Sequence, residues 1–131
     1  MSRLFVSVLF LALLSICSFS IASEPGTALV TEADNGKTVE VAKGSFLVIE
    51  LPGQPGTGYS WQLAEYDKRL LEFVGKNLRE PEQGYPNMKT VEIFRLKAKK
   101  KDSCVVELEY RRPFGKQKSP TRSFRVTVRI H

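Results

Sequence analysis

The sequence is poor in the residues that perform chemistry: it holds one histidine, His131, one tryptophan, Trp61, and two cysteines, Cys17 and Cys104. An activated nucleophile needs a base beside it, and a lone histidine on the last residue, where side chains fray, supplies none. The carboxylates are dispersed among lysines and arginines on outward strand positions, which describes solvated faces rather than a paired general acid and base. Glu107 and Glu109 share a face, but no histidine or further carboxylate accompanies them to hold a metal. Glycine motifs that cradle phosphate are absent as well. The expectation is a protein that is not an enzyme and uses no cofactor and no metal.

Long apolar runs are equally scarce. One covers residues 4–14, behind Arg3 and ahead of the small-residue stretch "SFSIAS", and it is too short to cross a bilayer comfortably. Together these features predict an export signal over residues 1–22, with Ser20 and Ala22 before the cut and a mature chain from Ser23. Ile16 is bulky where a lipid-attachment signal before Cys17 wants a small residue, so no membrane anchor is expected. The expected location is periplasmic or secreted, with a eukaryotic secretory or lysosomal compartment also open. Cys17 leaves with the signal, which strips Cys104 of an internal disulfide partner and makes the fold rest on its core. Residues 23–131 suffice for one domain and not for two; a monomer is the expected state. Without Arg3 the 20 Lys and Arg become 19 against 14 Asp and Glu, a mature chain about five charges positive, which suits acidic partners without naming them.

What the chain has in quantity is alternation. In "SFRVTVRI" Phe124, Val126, Val128 and Ile130 point one way and Arg125, Thr127 and Arg129 the other, the period of a half-buried strand. "VEIFRLKA" sets Phe94, Leu96 and Ala98 against Glu92, Arg95 and Lys97, and "CVVELEY" groups Cys104, Val106, Leu108 and Tyr110. "FLVIEL" is apolar on both faces, as in a strand covered on both sides, and "TVEVAK" is a shorter strand. Turn signals separate them at "DNGK", "KKKDS" and "RRPFGKQKSP", and only "AEYDKRLLEF" has a helical pattern. Short strands about 8 to 12 residues apart predict an all-β, immunoglobulin-like sandwich.

Two residue groups that invite chemistry have plainer uses. Cys104 shares the inward face of Val106 and Leu108, where a free cysteine behaves as a small apolar residue. The lysines at 99–101 sit in an expected hairpin turn, where they serve solubility, and the export signal separates the chain from nucleic acid, so no nucleic-acid partner is expected.

The remaining unusual features are loops. "LPGQPGTGYSW" interrupts a strand with three glycines and two prolines, more than a chain reversal requires. Gly56 and Gly58 clear the space beside Thr57, which then stands alone as donor and acceptor, while Pro52 and Pro55 limit the entropy lost on binding. Trp61 reads as core, alternating inward with Tyr59 and Leu63, and Tyr59 sits at the loop edge. In "YRRPFGKQKSP", Arg112 and Phe114 are residue types that anchor interfaces; Phe114 folding back over the sandwich end is an equal alternative. A third loop, "REPEQGYPNMK", joins the strand ending near Leu78 to the one starting near Thr90. In a sandwich alternate connections gather at one end, so the three loops can form one surface.

From Val39 onward the chain resembles the chagasin family of cysteine peptidase inhibitors. "QPGTGYSW" matches that family's first motif at Pro55, Thr57, Gly58, Tyr59 and Trp61, with Gln54 in place of asparagine and Gly56 in place of the first threonine. "ELEYRRPF" matches its arginine-proline-tryptophan motif at Arg112 and Pro113, with Phe114 for tryptophan. The middle loop, usually glycine-rich, reads "GYPNMK" with only Gly84. The resemblance implies reversible, non-covalent inhibition of papain-like cysteine peptidases by an immunoglobulin-like domain. Pro55, Gly56, Thr57, Gly58 and Tyr59 would enter the active-site cleft, and Tyr85, Pro86, Asn87, Met88, Arg112, Pro113 and Phe114 would grip its rims. The competing reading is a secreted carbohydrate-binding or adhesion module that uses exposed Tyr59, Tyr85 and Phe114 and leaves peptidases untouched.

Overall fold

The computed structural model describes residues 26–81, 89–112 and 120–131. Eight strands follow one another as β1 (Thr27–Thr31), β2 (Thr38–Val41), β3 (Phe46–Gly53), β4 (Ser60–Glu65), β5 (Leu71–Arg79), β6 (Thr90–Ala98), β7 (Asp102–Arg111) and β8 (Arg122–Ile130). They form two four-stranded sheets, ordered β1-β3-β6-β5 and β2-β8-β7-β4. β1 runs parallel to β3 and β2 parallel to β8, while the other pairs are antiparallel. This is the expected sandwich.

The period-two pattern explains the core directly. Phe124, Val126, Val128 and Ile130 of β8 are all buried, as are Phe94, Leu96 and Ala98 of β6 and Val106 and Leu108 of β7. Trp61 joins the same cluster, and Cys104 and Tyr110 pack against it partly buried. Each strand contributes alternate side chains to one shared interior, so burial, rather than any single contact, sets the register.

Four expectations are corrected. "AEYDKRLLEF" contains no helix: β4 continues to Glu65, and β5 begins at Leu71 after a turn. Asp67 builds that turn, its side chain accepting from the Arg69 N–H at 2.9 Å and its carbonyl from the Leu70 and Leu71 amides; this local bonding outcompetes a helical ladder. The lysines at 99–101 lie where the chain crosses from one sheet to the other, since β6 and β7 belong to different sheets. β3 is covered on only one face along most of its length: Leu47, Ile49 and Leu51 are buried, Val48 alone is buried on the other side, and Phe46 is 37% exposed. The backbone of His131 is not frayed, because its N–H donates to Val41 and its carbonyl accepts from Lys43.

The turn at "DNGK" forms as expected, with Gly36 at φ +80, and Asn35 Oδ1 accepts from the Arg125 amide at 3.0 Å. It connects β1 to β2 and so also crosses between sheets. Among the described residues no helix is long and apolar enough to cross a membrane.

Candidate loop surface

Strand register brings the bases of the three loops to one end of the sandwich. In one sheet Gly53, the last residue of β3, pairs with Thr90 at the start of β6, and Arg79, the last of β5, with Val91. In the other, Ser60 at the start of β4 pairs with Arg111 at the end of β7, and Tyr110 with Arg122 at the start of β8. The bases of the β3–β4, β5–β6 and β7–β8 connections therefore lie together. Of the predicted surface residues, Pro55, Gly56, Thr57, Gly58, Tyr59 and Arg112 lie within this description. Tyr85, Pro86, Asn87, Met88, Pro113 and Phe114 lie outside the described residues.

The β3–β4 loop is a closed turn. Residues Pro55–Thr57 make a single 3-10 turn with proline at its start, and Gly58 ends it at φ +87, a left-handed conformation that a side chain would strain. The Thr57 hydroxyl donates to the Gln54 carbonyl at 2.6 Å and accepts from the Tyr59 N–H at 3.4 Å. Thr57 therefore does not stand alone, as its glycine neighbours suggested; its hydroxyl braces the turn from within. Gly56 has open space around its Cα, so its lack of a side chain leaves the tip narrow without being required by the backbone.

Aromatic and arginine residues fasten this turn to the second sheet. The Gln54 N–H donates to the Tyr110 hydroxyl at 3.0 Å. The Tyr59 ring stacks on Tyr110 with centroids 5.8 Å apart, and the Arg112 guanidinium lies 4.7 Å from the Tyr59 centroid. Trp61 follows at 5.2 Å from Tyr110, with Arg122 at 5.3 Å from Trp61 and paired to Glu32. Cation–π and offset aromatic contacts of this kind hold rings in fixed orientations. Arg112 thus has a defined place: it packs on the loop and lies 3.5 Å from where a Cβ on Gly58 would sit.

Beneath the loop lies a charged pair, Lys76 and Glu92, and Glu92 corrects the expectation that it faces outward with Arg95 and Lys97. Glu92 shares the parity of Phe94 and Leu96, and it is fully buried. Its carboxylate accepts from the Trp61 N–H at 3.1 and 3.3 Å and pairs with Lys76 Nζ at 2.9 Å. Lys76 also donates to the Trp61 carbonyl at 2.8 Å and lies over the Phe94 ring. The Trp61 indole N–H donates to the Pro52 carbonyl at 3.0 Å. A side chain on Gly53 would meet Glu92 Oε2 at 2.1 Å, so glycine is what lets the carboxylate lie there. The available signal was the even spacing of Glu92 with Phe94, Leu96 and Ala98, which argues for an inward position despite the charge.

Among the described residues no group of His, Cys, Asp and Glu is placed to hold a metal. Cys104 lines an open groove of about 670 Å³ with Asp67 and Arg125, near the 65–69 turn and away from the three loops. Burial pushes its thiol above the usual range, opposed by a hydrogen bond with the Asp67 backbone. A raised value leaves less thiolate at neutral pH, the reverse of an activated nucleophile. At pH 8, iodoacetamide is expected to alkylate Cys104 several-fold more slowly in the folded protein than in urea, and equal rates would show an unshielded thiol.

A sequence model described as "Chagasin family peptidase inhibitor I42" matches residues 40–128. Chagasin from Trypanosoma cruzi is 30% identical over 109 residues, spanning 78% of this chain and 96% of that protein. Amoebiasin-2 from Entamoeba histolytica is 27% identical over 107 residues, spanning 78% of this chain and 84% of its own. The crystal structure of a cysteine protease inhibitor from Entamoeba histolytica aligns with a TM-score of 0.70 at 25% identity, covering 81% of this chain and 96% of that one. The fold, the paired loop bases and these similarities agree: this chain belongs to the chagasin family of peptidase inhibitors, which block proteolysis rather than perform it.

Proposed function

We propose that this protein is a reversible, non-covalent inhibitor of papain-like cysteine peptidases. Residues 54–59 enter the active-site cleft, and the β5–β6 and β7–β8 loops hold its rims. The observation that carries this reading is the internally braced turn at Thr57 and Gly58, narrow at its tip and bonded at its base. A scissile peptide must lie extended to offer its carbonyl to the thiolate, whereas this segment closes on itself through Thr57 N–H to Gln54 and Gly58 N–H to Pro55. It fills the groove without presenting a bond for attack. Pre-ordering also lowers the entropy lost on docking, so an interface of about 800 Å² per partner can bind tightly. The Tyr59 ring, already packed by Tyr110 and Arg112, is a poor platform for stacking sugar. The export signal expected over residues 1–22 directs the inhibitor to a peptidase outside the cytoplasm.

The test is residual papain activity on a fluorogenic peptide under reducing conditions, as the protein is titrated in. The expected result is dose-dependent inhibition, weakened about 30-fold or more by Gly58→Asp or Thr57→Tyr, the loss of a central interface anchor. Circular dichroism should show both variants folded. Full inhibition by both would remove this loop from the contact surface.

A further inference from the structure

The β4 strand lies at the edge of its sheet, bonded to β7 on one side only. The N–H and carbonyl of any one strand residue point to the same side, so at Trp61 both face either β7 or the open edge. At Trp61 the N–H goes to Glu92 and the carbonyl to Lys76. A carboxylate and an ammonium, paired at 2.9 Å, therefore stand where a neighbouring strand's carbonyl and amide would be. Both side chains come from the opposite sheet, Glu92 from β6 and Lys76 from β5. Glu92 also lies against the Cα of Gly53. Gly53 closes β3 and Ser60–Trp61 opens β4, so one buried carboxylate touches both ends of the β3–β4 loop.

We propose that Glu92 and Lys76 act together as a positioning unit: by fixing the two ends of the 54–59 loop across the sheets, they keep it closed and so resistant to cleavage. This rests on the reading that the loop enters a peptidase cleft, where a loosened loop becomes a substrate. Neither residue touches the peptidase. Their effect passes through the backbone of Trp61 and the seat of Gly53. A loop tethered at one end only samples extended conformations, and cutting by a protease follows the population of such open forms when opening is fast.

The experiment uses protein expressed from the full 131-residue chain as wild type, Glu92→Gln, Lys76→Met and, for comparison, Val128→Ala. Glutamine keeps the length and the acceptor for the Trp61 N–H but discards the charge that holds Lys76. Val128 is a buried core residue paired with Val39 and Cys104, away from the loops. Its truncation lowers the melting temperature without touching the loop. Each protein is digested with subtilisin at 25 °C and the first cut is located by mass spectrometry. The expected result for Glu92→Gln and Lys76→Met is a first cut within residues 54–60, about tenfold or more faster than wild type. Val128→Ala should be cut as slowly there as wild type. Should Lys76→Met fail to fold, Glu92→Gln decides alone. Cutting of both pair variants at the rate of Val128→Ala would overturn the proposal. Papain inhibition by wild type is measured in parallel; its absence would defeat the inhibitor reading, while the subtilisin comparison still decides the positioning role.

Discussion

Replacing Lys76 by methionine should lower the unfolding free energy by about 3–5 kcal/mol, as when one partner of a buried ion pair is removed. The two partners are not equivalent. The Glu92 side chain is fully buried, whereas that of Lys76 is 32% exposed. Without Lys76, the fully buried carboxylate keeps one backbone donor, the Trp61 N–H, and loses its counter-charge. Without the charge on Glu92, the ammonium can turn toward solvent along its flexible stem. Glu92→Gln should therefore cost less than Lys76→Met, and the double variant should be more stable than the sum of the single losses predicts. Urea titrations of the four proteins close the cycle. Losses below about 1 kcal/mol for both single variants would match an exposed ion pair and contradict the burial of Glu92.

Trp61→Ala is the second large effect, a loss of about 3–5 kcal/mol from the cavity left by a fully packed indole. Three separate contacts meet in this side chain. It is 2% exposed in the shared interior, its N–H donates to Pro52, and its ring packs on Tyr110. Trp61→Phe helps to separate them, because it keeps an aromatic ring in the core, leaves a smaller cavity than alanine does and abolishes the indole donor. That leaves the Pro52 carbonyl without its partner, at about 1–3 kcal/mol. Trp61 is the sole tryptophan, so both variants are best followed by circular dichroism. An equal loss for the two would mean that the hydrogen bond to Pro52, not packing, dominates. Such a result would recast Trp61 as a latch on the loop's first strand rather than a core residue.

Lys76, Glu92 and Trp61 belong to one bonded network. Lys76 bonds the Trp61 carbonyl, Glu92 bonds its amide, and the Trp61 indole bonds Pro52. The same residue thus receives support from β5 and β6 and gives it to β3. Changes at these positions should not be additive, since residues sharing one network couple. The loop above inherits that coupling through Gly53 and Ser60.

Much of this arrangement was legible along the chain. Alternation in β6, β7 and β8 marked Phe94, Val106, Leu108, Phe124 and Val128 as interior, and each is buried. Such strands announce themselves because one face meets apolar atoms and the other meets water. Charge misled at Glu92, where the residue type argued for solvent and the spacing argued for the core; spacing won because Lys76 and the Trp61 amide compensate the buried carboxylate. Helical propensity misled at 64–73, where Asp67 directed the backbone into a turn. Along the chain Thr57 looks like an open donor and acceptor, since nothing local shows that its hydroxyl closes on Gln54 and Tyr59.

By itself, the sequence determined β2, β3, β6, β7 and β8, the apolar inward residues of β6, β7 and β8, the turn at Gly36 and the motif of the β3–β4 loop, all properties of residues near one another in the chain. Which strands share a sheet was decided only in three dimensions, because β6 and β7 are adjacent in sequence yet lie in opposite sheets. The same is true of the loop's rigidity. Tyr110 lies 56 positions from Gln54 and Glu92 lies 31 from Trp61, and hydrogen bonds across such distances exist only once the core has brought the two sheets together.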